Sequence, residues 1–245
     1  MEFPDIIPYK GKNILRIPFK GKNIWLNITY NDIGRGKEPI ETFFDELEIK
    51  EKYLNLSGED FFVDVGAAYG SYTILALMQK AKVLAFEPNP TIYMLLCVNI
   101  MDNMPLYPDL SLKTLRVVNA GLSDTQEILG YNNMYQTTYL DADTRIECKP
   151  LDLFLNENKT IISKITLIKI DTEGMEYKVL IGAKHTIARD KPRLLIEIHD
   201  NVPWLADKLK GNKQRVIEFL KEYNYVIEEI PYKGREFIYA YSNSL

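Results

Sequence analysis

From residue 60 onward, short apolar runs alternate with stretches whose apolar positions recur every three or four residues. The runs at 60–65, 82–87, 112–119, 165–170, 193–198, 225–230 and 236–241 read as strands. The stretches at 71–80, 90–102, 174–188 and 203–223 carry helical spacing. Apolar strands alternating with helices predict a mostly parallel sheet covered on both faces. The last two runs are joined by I-P-Y-K-G-R, which is turn chemistry, so they are expected to close one end as an antiparallel hairpin. The expected fold is a doubly wound, Rossmann-like α/β sheet of seven strands over residues 58–245. Ligands of such sheets lie beyond the carboxyl ends of the strands.

The first 57 residues follow a different rhythm. Y-K-G-K-N-I-L-R-I at 9–17 is echoed by F-K-G-K-N-I-W-L-N-I at 19–28, with Gly-Lys-Asn supplying successive turns, which predicts a β-meander. A helix is expected over 39–56, with Pro39 in its first turn and an apolar stripe of Ile40, Phe43, Phe44, Leu47 and Leu54. Residues 1–57 thus read as a small β/α extension packed on the main domain.

Composition narrows the class. A net charge of −4 over 245 residues argues against a surface built to neutralise a nucleic-acid backbone. The basic run K-L-K-G-N-K-Q-R at 208–215 reads as a solvated helix face. Cys97 and Cys148 form neither a disulfide framework nor a metal-ligand spacing, which points to a reducing, cytoplasmic compartment. Met1 is followed by acidic residues and Pro4 rather than a basic and apolar leader. No apolar run approaches membrane-spanning length, so no membrane association is expected.

Candidate chemistry gathers at the strand ends. F-F-V-D-V-G-A-A-Y-G-S-Y-T joins the first strand to its helix, and Gly66 and Gly70 permit a tight turn and a close ligand, with Ala67 and Tyr69 between them. The spacing is G-x-x-x-G, unlike the G-x-G-x-x-G that cradles a pyrophosphate. S-adenosylmethionine carries an ammonium and a carboxylate instead of a pyrophosphate, and Asp64 is a candidate for its ammonium. The second strand ends V-L-A-F-E-P-N-P, placing Glu87 where a carboxylate accepts both hydrogen bonds of a ribose diol. Loop and acid together indicate an adenosine-containing cofactor and leave NAD open. In V-V-N-A-G-L-S-D after the third strand, Asn119, Gly121 and Leu122 are candidates to flank an adenine.

Four ordered segments carry a family resemblance: V-D-V-G-A-A-Y-G-S-Y-T, F-E-P-N-P followed by Asn99, I-D-T-E-G-M-E-Y-K-V-L-I-G-A, and L-L-I-E-I-H. Together, over about residues 60–200, the chain resembles the FkbM-type S-adenosylmethionine-dependent methyltransferases. It departs from them at Ala68, where the family commonly has Asn. The resemblance implies the class I methyltransferase fold, S-adenosylmethionine as cofactor, and methyl transfer to a hydroxyl of a sugar or natural-product-like small molecule.

An alcohol needs a base or a metal near its oxygen to become a nucleophile. Asp171 ends the fourth strand beside the first, and Glu197 and His199 alternate on the next strand and so share a face. His199 is the better-matched base, since imidazole titrates near about 6.5 and a carboxylate near about 4. His185 is expected to cap carbonyls near the end of a helix. Glu173, Gly174 and His199 are expected beside the acceptor, and Glu176 reads as an acid favouring the helix dipole. Asp171, Glu197 and His199 also make a candidate Mg²⁺ site, ranked below metal-free catalysis. The competing readings are an NAD(P)-dependent oxidoreductase, motivated by Glu87, an RNA 2′-O-methyltransferase, and a non-enzymatic binding module on the same fold.

Overall fold

A computed structural model describes residues 6–9, 12–19, 22–27, 46–104, 114–130, 145–158, 164–200 and 211–243. Strands β1 (Ile6–Tyr9), β2 (Lys12–Phe19) and β3 (Lys22–Asn27) pair in sequence as the antiparallel meander that the Gly-Lys-Asn echo predicts. Helix α1 (Leu47–Tyr53) follows; Ile40, Phe43 and Phe44 of the expected helix lie outside the described residues.

The main domain then runs β4 (Phe61–Val65), α2 (Ser71–Met78), β5 (Lys82–Phe86), α3 (Pro90–Asn103) and β6 (Leu115–Val118). It continues through β7 (Gly121–Leu122), β8 (Glu127–Gly130), β9 (Arg145–Lys149), α4 (Leu151–Glu157) and β10 (Leu167–Ile170). The last elements are α5 (Glu176–Gly182), α6 (Lys184–Asp190), β11 (Arg193–Ile198), α7 (Asn212–Glu222), β12 (Val226–Tyr232) and β13 (Arg235–Tyr241). The seven-stranded sheet has the order β12-β13-β11-β10-β4-β5-β6. Only β13 runs antiparallel, against β11 and β12, as the terminal hairpin requires. Strand order reverses between β4 and β10, which makes their carboxyl ends the crevice of this sheet.

Side chains alternate between two cores because successive strand residues face opposite sides. Phe62, Val83, Leu167 and Leu195 join α1 and α2 on one face. Phe61, Val63, Leu84, Ile168 and Ile196 join α4 to α7 on the other. Lys169 and Asp171 follow Leu167 at steps of two, so a lysine and an acid point toward the α1/α2 side at the strand exit. Register places Lys169 directly opposite Asp64.

Three departures from the periodicity have local causes. The stretch 174–188 is two helices, α5 ending at Gly182, where there is no room for a Cβ beside the Ser123 carbonyl and Pro150, and α6 starting at Lys184. Asp152 on α4 accepts the backbone N–H groups of His185 and Thr186 at 2.8 and 2.9 Å. His185 therefore opens α6 rather than capping a helix end. The small sheet β7-β9-β8 and α4 escaped the pattern because each element is too short to show a clear period. Of the basic run 208–215, the described part shows Lys213 paired with Glu229 and Glu236 at 2.9 and 3.0 Å. Among the described residues no helix is long and apolar enough to cross a membrane.

Candidate active site

The glycine loop is fixed by the sheet it leaves. The Gly66 and Ala67 N–H groups both donate to the Phe86 carbonyl, and Gly70 N–H donates to Ala67 O as α2 begins. Gly66 and Gly70 adopt φ of 77° and 91°. A Cβ on Gly66 would strike the Asp171 carbonyl, and one on Gly70 would press on Leu96. The tight turn expected of these glycines is present, and the protein's own packing also requires them. Ala67 is buried, and the Tyr69 carbonyl accepts from Asn99 Nδ2 at 2.9 Å. Ala68 stands in the left-handed region at φ 47°, a conformation that suits Asn or Gly.

Glu87 is held beside this loop by two backbone donors, Asn89 N–H to Oε1 at 2.8 Å and Ala68 N–H to Oε2 at 2.9 Å. Burial pushes its carboxyl up to about 7 against the pull of those bonds. Asn119 Nδ2 donates to the Glu87 and Pro88 carbonyls, clasping the exits of β5 and β6. Gly121 faces Cys148 and Leu122 packs into the core, so any contact they make with an adenine is through backbone. Asp64 is also turned inward. It is fully buried, with Oδ2 accepting from Thr73 Oγ1 at 2.7 Å and Oδ1 3.6 Å from Lys169 Nζ. A direct contact with a ligand ammonium is closed to it.

At the exit of β10 the predicted acids do converge. Lys169, which the sequence reading missed, donates from Nζ to the Gly66 carbonyl at 2.8 Å and lies 3.2 Å from Asp171 Oδ2. A lysine inside an otherwise apolar strand was the available signal, since lysine is seldom buried unpaired. His199 Nε2 looks onto three carboxylates: Glu173 Oε2 at 3.7 Å, Glu197 Oε1 at 3.8 Å and Asp171 Oδ1 at 3.9 Å. Its other nitrogen, Nδ1, donates to Glu176 Oε1 at 3.0 Å.

Glu176 stands in the first turn of α5, as expected of an acid favouring the helix dipole, but it does more than that. It is wholly buried, and Oε1 also accepts from Gly174 N–H at 2.8 Å and from the Thr172 N–H and hydroxyl, both at 3.3 Å. Oε2 accepts from Asn212 Nδ2 at 2.6 Å. The turn it organises carries Glu173 at φ 54° and Gly174 at φ 111°, which sends the Glu173 side chain toward His199.

Electrostatics reassign the titrating roles. Burial works against charge on His199, but Glu176, Asp171 and Glu173 outweigh it and raise the imidazole to about 10. The imidazole is thus a cation at neutral pH and no free base. Burial raises the Asp171 carboxyl, yet Lys169 and His199 more than offset this and hold it below its ordinary value. Burial, then the charges of Asp171 and Glu46, push Glu197 up to about 8. Arg235 on β13 links Glu197, 3.7 Å away, to Glu46 beside α1 at 2.7 Å. Glu46, the residue that opens α1, therefore reaches the same network.

A family profile described as the methyltransferase FkbM domain matches residues 64–227. No curated protein sequence matches the chain. Among solved structures, an FkbM methyltransferase from Methylobacillus flagellatus is similar at 21% identity and TM-score 0.57, over 81% of this chain and 48% of that one. This chain thus spans about half of that protein's length. A SAM-dependent methyltransferase from Aquifex aeolicus shows 13% identity and TM-score 0.48, over 86% of this chain and 97% of its own. A precorrin-6y C5,15-methyltransferase from Geobacter metallireducens shows 14% identity and TM-score 0.44, over 78% and 84%. The profile begins at Asp64, includes Glu87, Asp171, Glu176, Glu197 and His199, and covers well over half of the sequence, so the chain belongs to the methyltransferase FkbM domain family.

Proposed function

We propose that this protein transfers a methyl group from S-adenosylmethionine to a hydroxyl oxygen of a small molecule, of the sugar or natural-product kind. The observation that carries the reading is the excess of carboxylate at the strand exits beside Glu87. Among the described residues, Asp64, Asp171, Glu173, Glu176 and Glu197 outnumber the cations paired with them, Lys169, Arg235 and His199. A donor bearing a sulfonium and an ammonium suits that field, whereas the pyrophosphate of NAD(P) and the backbone of an RNA are repelled by it. The G-x-x-x-G spacing favours the same choice.

The donor set fits S-adenosylmethionine. Glu87 spends one lone pair on each backbone donor and keeps others for a ribose diol. The loop from Gly66 to Gly70 is pinned by Lys169 and Asn99, so it is rigid before any ligand arrives. When bound, S-adenosylmethionine supplies a methyl group already activated on a sulfonium sulfur. Asp171, kept ionised by Lys169 and His199, is the carboxylate placed to accept the hydroxyl proton. His199 holds Asp171 and Glu173 in place, and Glu197, protonated at neutral pH, offers a donor to the acceptor. Glu46, at the start of α1, reaches the acceptor side of the domain through Arg235.

Calorimetric titration of the folded protein with S-adenosylhomocysteine and, in parallel, with NAD⁺ tests the proposal. Saturable binding of S-adenosylhomocysteine alone supports it. A folded protein that ignores S-adenosylhomocysteine overturns it, and binding of NAD⁺ in its place installs the oxidoreductase reading.

A further inference from the structure

The three carboxylates around His199 Nε2 stand at 3.7–3.9 Å, too far for hydrogen bonds and too close to be independent of one another. Asp171, Glu173 and His199 each offer one ligand atom, and these atoms all lie within 4.8 Å of one another. Two ligands bound to one cation at about 2.1 Å are about 3 Å apart when adjacent and about 4.2 Å apart when opposite. The His199 separations fall between those limits.

Acids alone would not make a site. Here an imidazole is aimed into them by a separate device. Glu176, wholly buried, takes the Nδ1 proton at 3.0 Å and is itself locked by Gly174 N–H and Asn212, so Nε2 is directed at the cluster. A carboxylate on the far nitrogen is how ligating histidines are oriented and made more basic. Glu173 joins through a left-handed backbone that costs on the order of 1 kcal/mol for a residue with a Cβ.

We infer that Asp171, Glu173 and His199 Nε2 form a divalent-cation site, which a cation fills in exchange for the Nε2 proton, with Glu176 as its orienting residue. This deepens the methyl-transfer reading and rests on it only for the use of the cation. Mixed imidazole and carboxylate ligands select Mn²⁺ or a similar transition ion over Mg²⁺, which prefers all-oxygen surroundings. Glu197 is the weaker ligand, because Arg235 shares its Oε1 at 3.7 Å. The third position therefore passes to Glu173, where the sequence suggested Glu197. Three protein ligands leave positions for an acceptor oxygen. A cation there would lower the proton affinity of that hydroxyl and so ease loss of its proton to the Asp171 carboxylate.

The test is titration of the chelator-stripped full chain with Mn²⁺ alone, followed by calorimetry and by the loss of the free-ion electron paramagnetic signal. One saturable Mn²⁺ per chain is expected, weakened about tenfold or more by Glu173→Gln and by His199→Ala, and about 10–100-fold by Glu176→Gln. Glu173→Gln changes a half-exposed side chain, so it keeps the test sound if the His199 variant fails to fold. Absence of saturable binding up to millimolar Mn²⁺, or binding indifferent to Glu173→Gln, overturns the site. S-adenosylhomocysteine titrated into the same stripped protein separates the two ideas. Uptake of the nucleoside without Mn²⁺ binding removes the cation site and leaves methyl transfer intact. Mn²⁺ binding without the nucleoside removes methyl transfer and leaves the site.

Discussion

Single residues in this protein carry conformations that their neighbours impose. Ala68 holds φ 47° so that its N–H can reach Glu87 Oε2. Replacing Ala68 with Gly is expected to raise stability by about 1 kcal/mol, because the left-handed strain exceeds the entropic cost of glycine. In a thermal melt that is a rise of about 2–4 °C; an unchanged or lower midpoint rejects the argument. Glu87 gives a pH prediction. Its carboxyl is pushed up to about 7, and the ionised form is the better acceptor for a diol. Affinity for S-adenosylhomocysteine should therefore rise as pH climbs through about 7, and Glu87→Gln should flatten the profile. Asp171→Asn should cut methyl transfer about 10²-fold or more while leaving the nucleoside affinity within a few-fold. Equal losses in both would move Asp171 from chemistry to binding.

At the scale of elements, the turn between β10 and α5 decides most of the site. An acid in the first turn of an exposed helix is worth about 1 kcal/mol at best. Glu176 is instead buried and receives several donors at once. Each donor left unmade costs about 1–3 kcal/mol. Glu176→Ala should destabilise the fold by at least about 3 kcal/mol, read from the shift of the urea midpoint at unchanged slope. A loss under about 1 kcal/mol would restore the helix-dipole account. From the sequence, Glu173 was expected beside the acceptor and Glu176 as an acid favouring the helix dipole. Backbone geometry gives the reason they differ, sending Glu176 inward and Glu173 to the cleft.

Across the whole molecule, a buried chain of charges joins α1 to the strand exits. Lys50 on α1 is fully buried, 3.6 Å from Glu46, and lies over the Tyr72 ring, as Lys169 also does. Burial lowers Lys50 to about 8 from an ordinary 10.5. The folded chain therefore sheds this proton before the unfolded chain does. Below about pH 8 the charge weighs fully against the fold, and between about 8 and 10.5 that cost is relieved. Lys50→Met should make the protein more stable at neutral pH by a few kcal/mol, since Glu46 keeps Arg235 as partner. Its advantage should shrink as pH rises toward 10.5. A stability gap between the two proteins that stays constant with pH would show that Lys50 is not the buried titrating group.

The linear pattern determined the sheet and the chemistry it could hold. Apolar runs and glycine turns fix which segments are strands because burial on both faces demands mostly apolar side chains, as in β4 and β10, where every residue is buried and only Asp64 and Lys169 interrupt the apolar run. Spacing along those runs likewise put Asp171, Glu197 and His199 at adjacent strand ends. Tertiary structure alone decided what each group became. Whether Gly66 serves a ligand or makes room for the Asp171 carbonyl depends on another strand. Whether His199 is a base or a cation depends on Glu176, Asp171 and Glu173 arriving from a different segment. Protonation and packing are set by the neighbours in space, and one-dimensional spacing does not contain them.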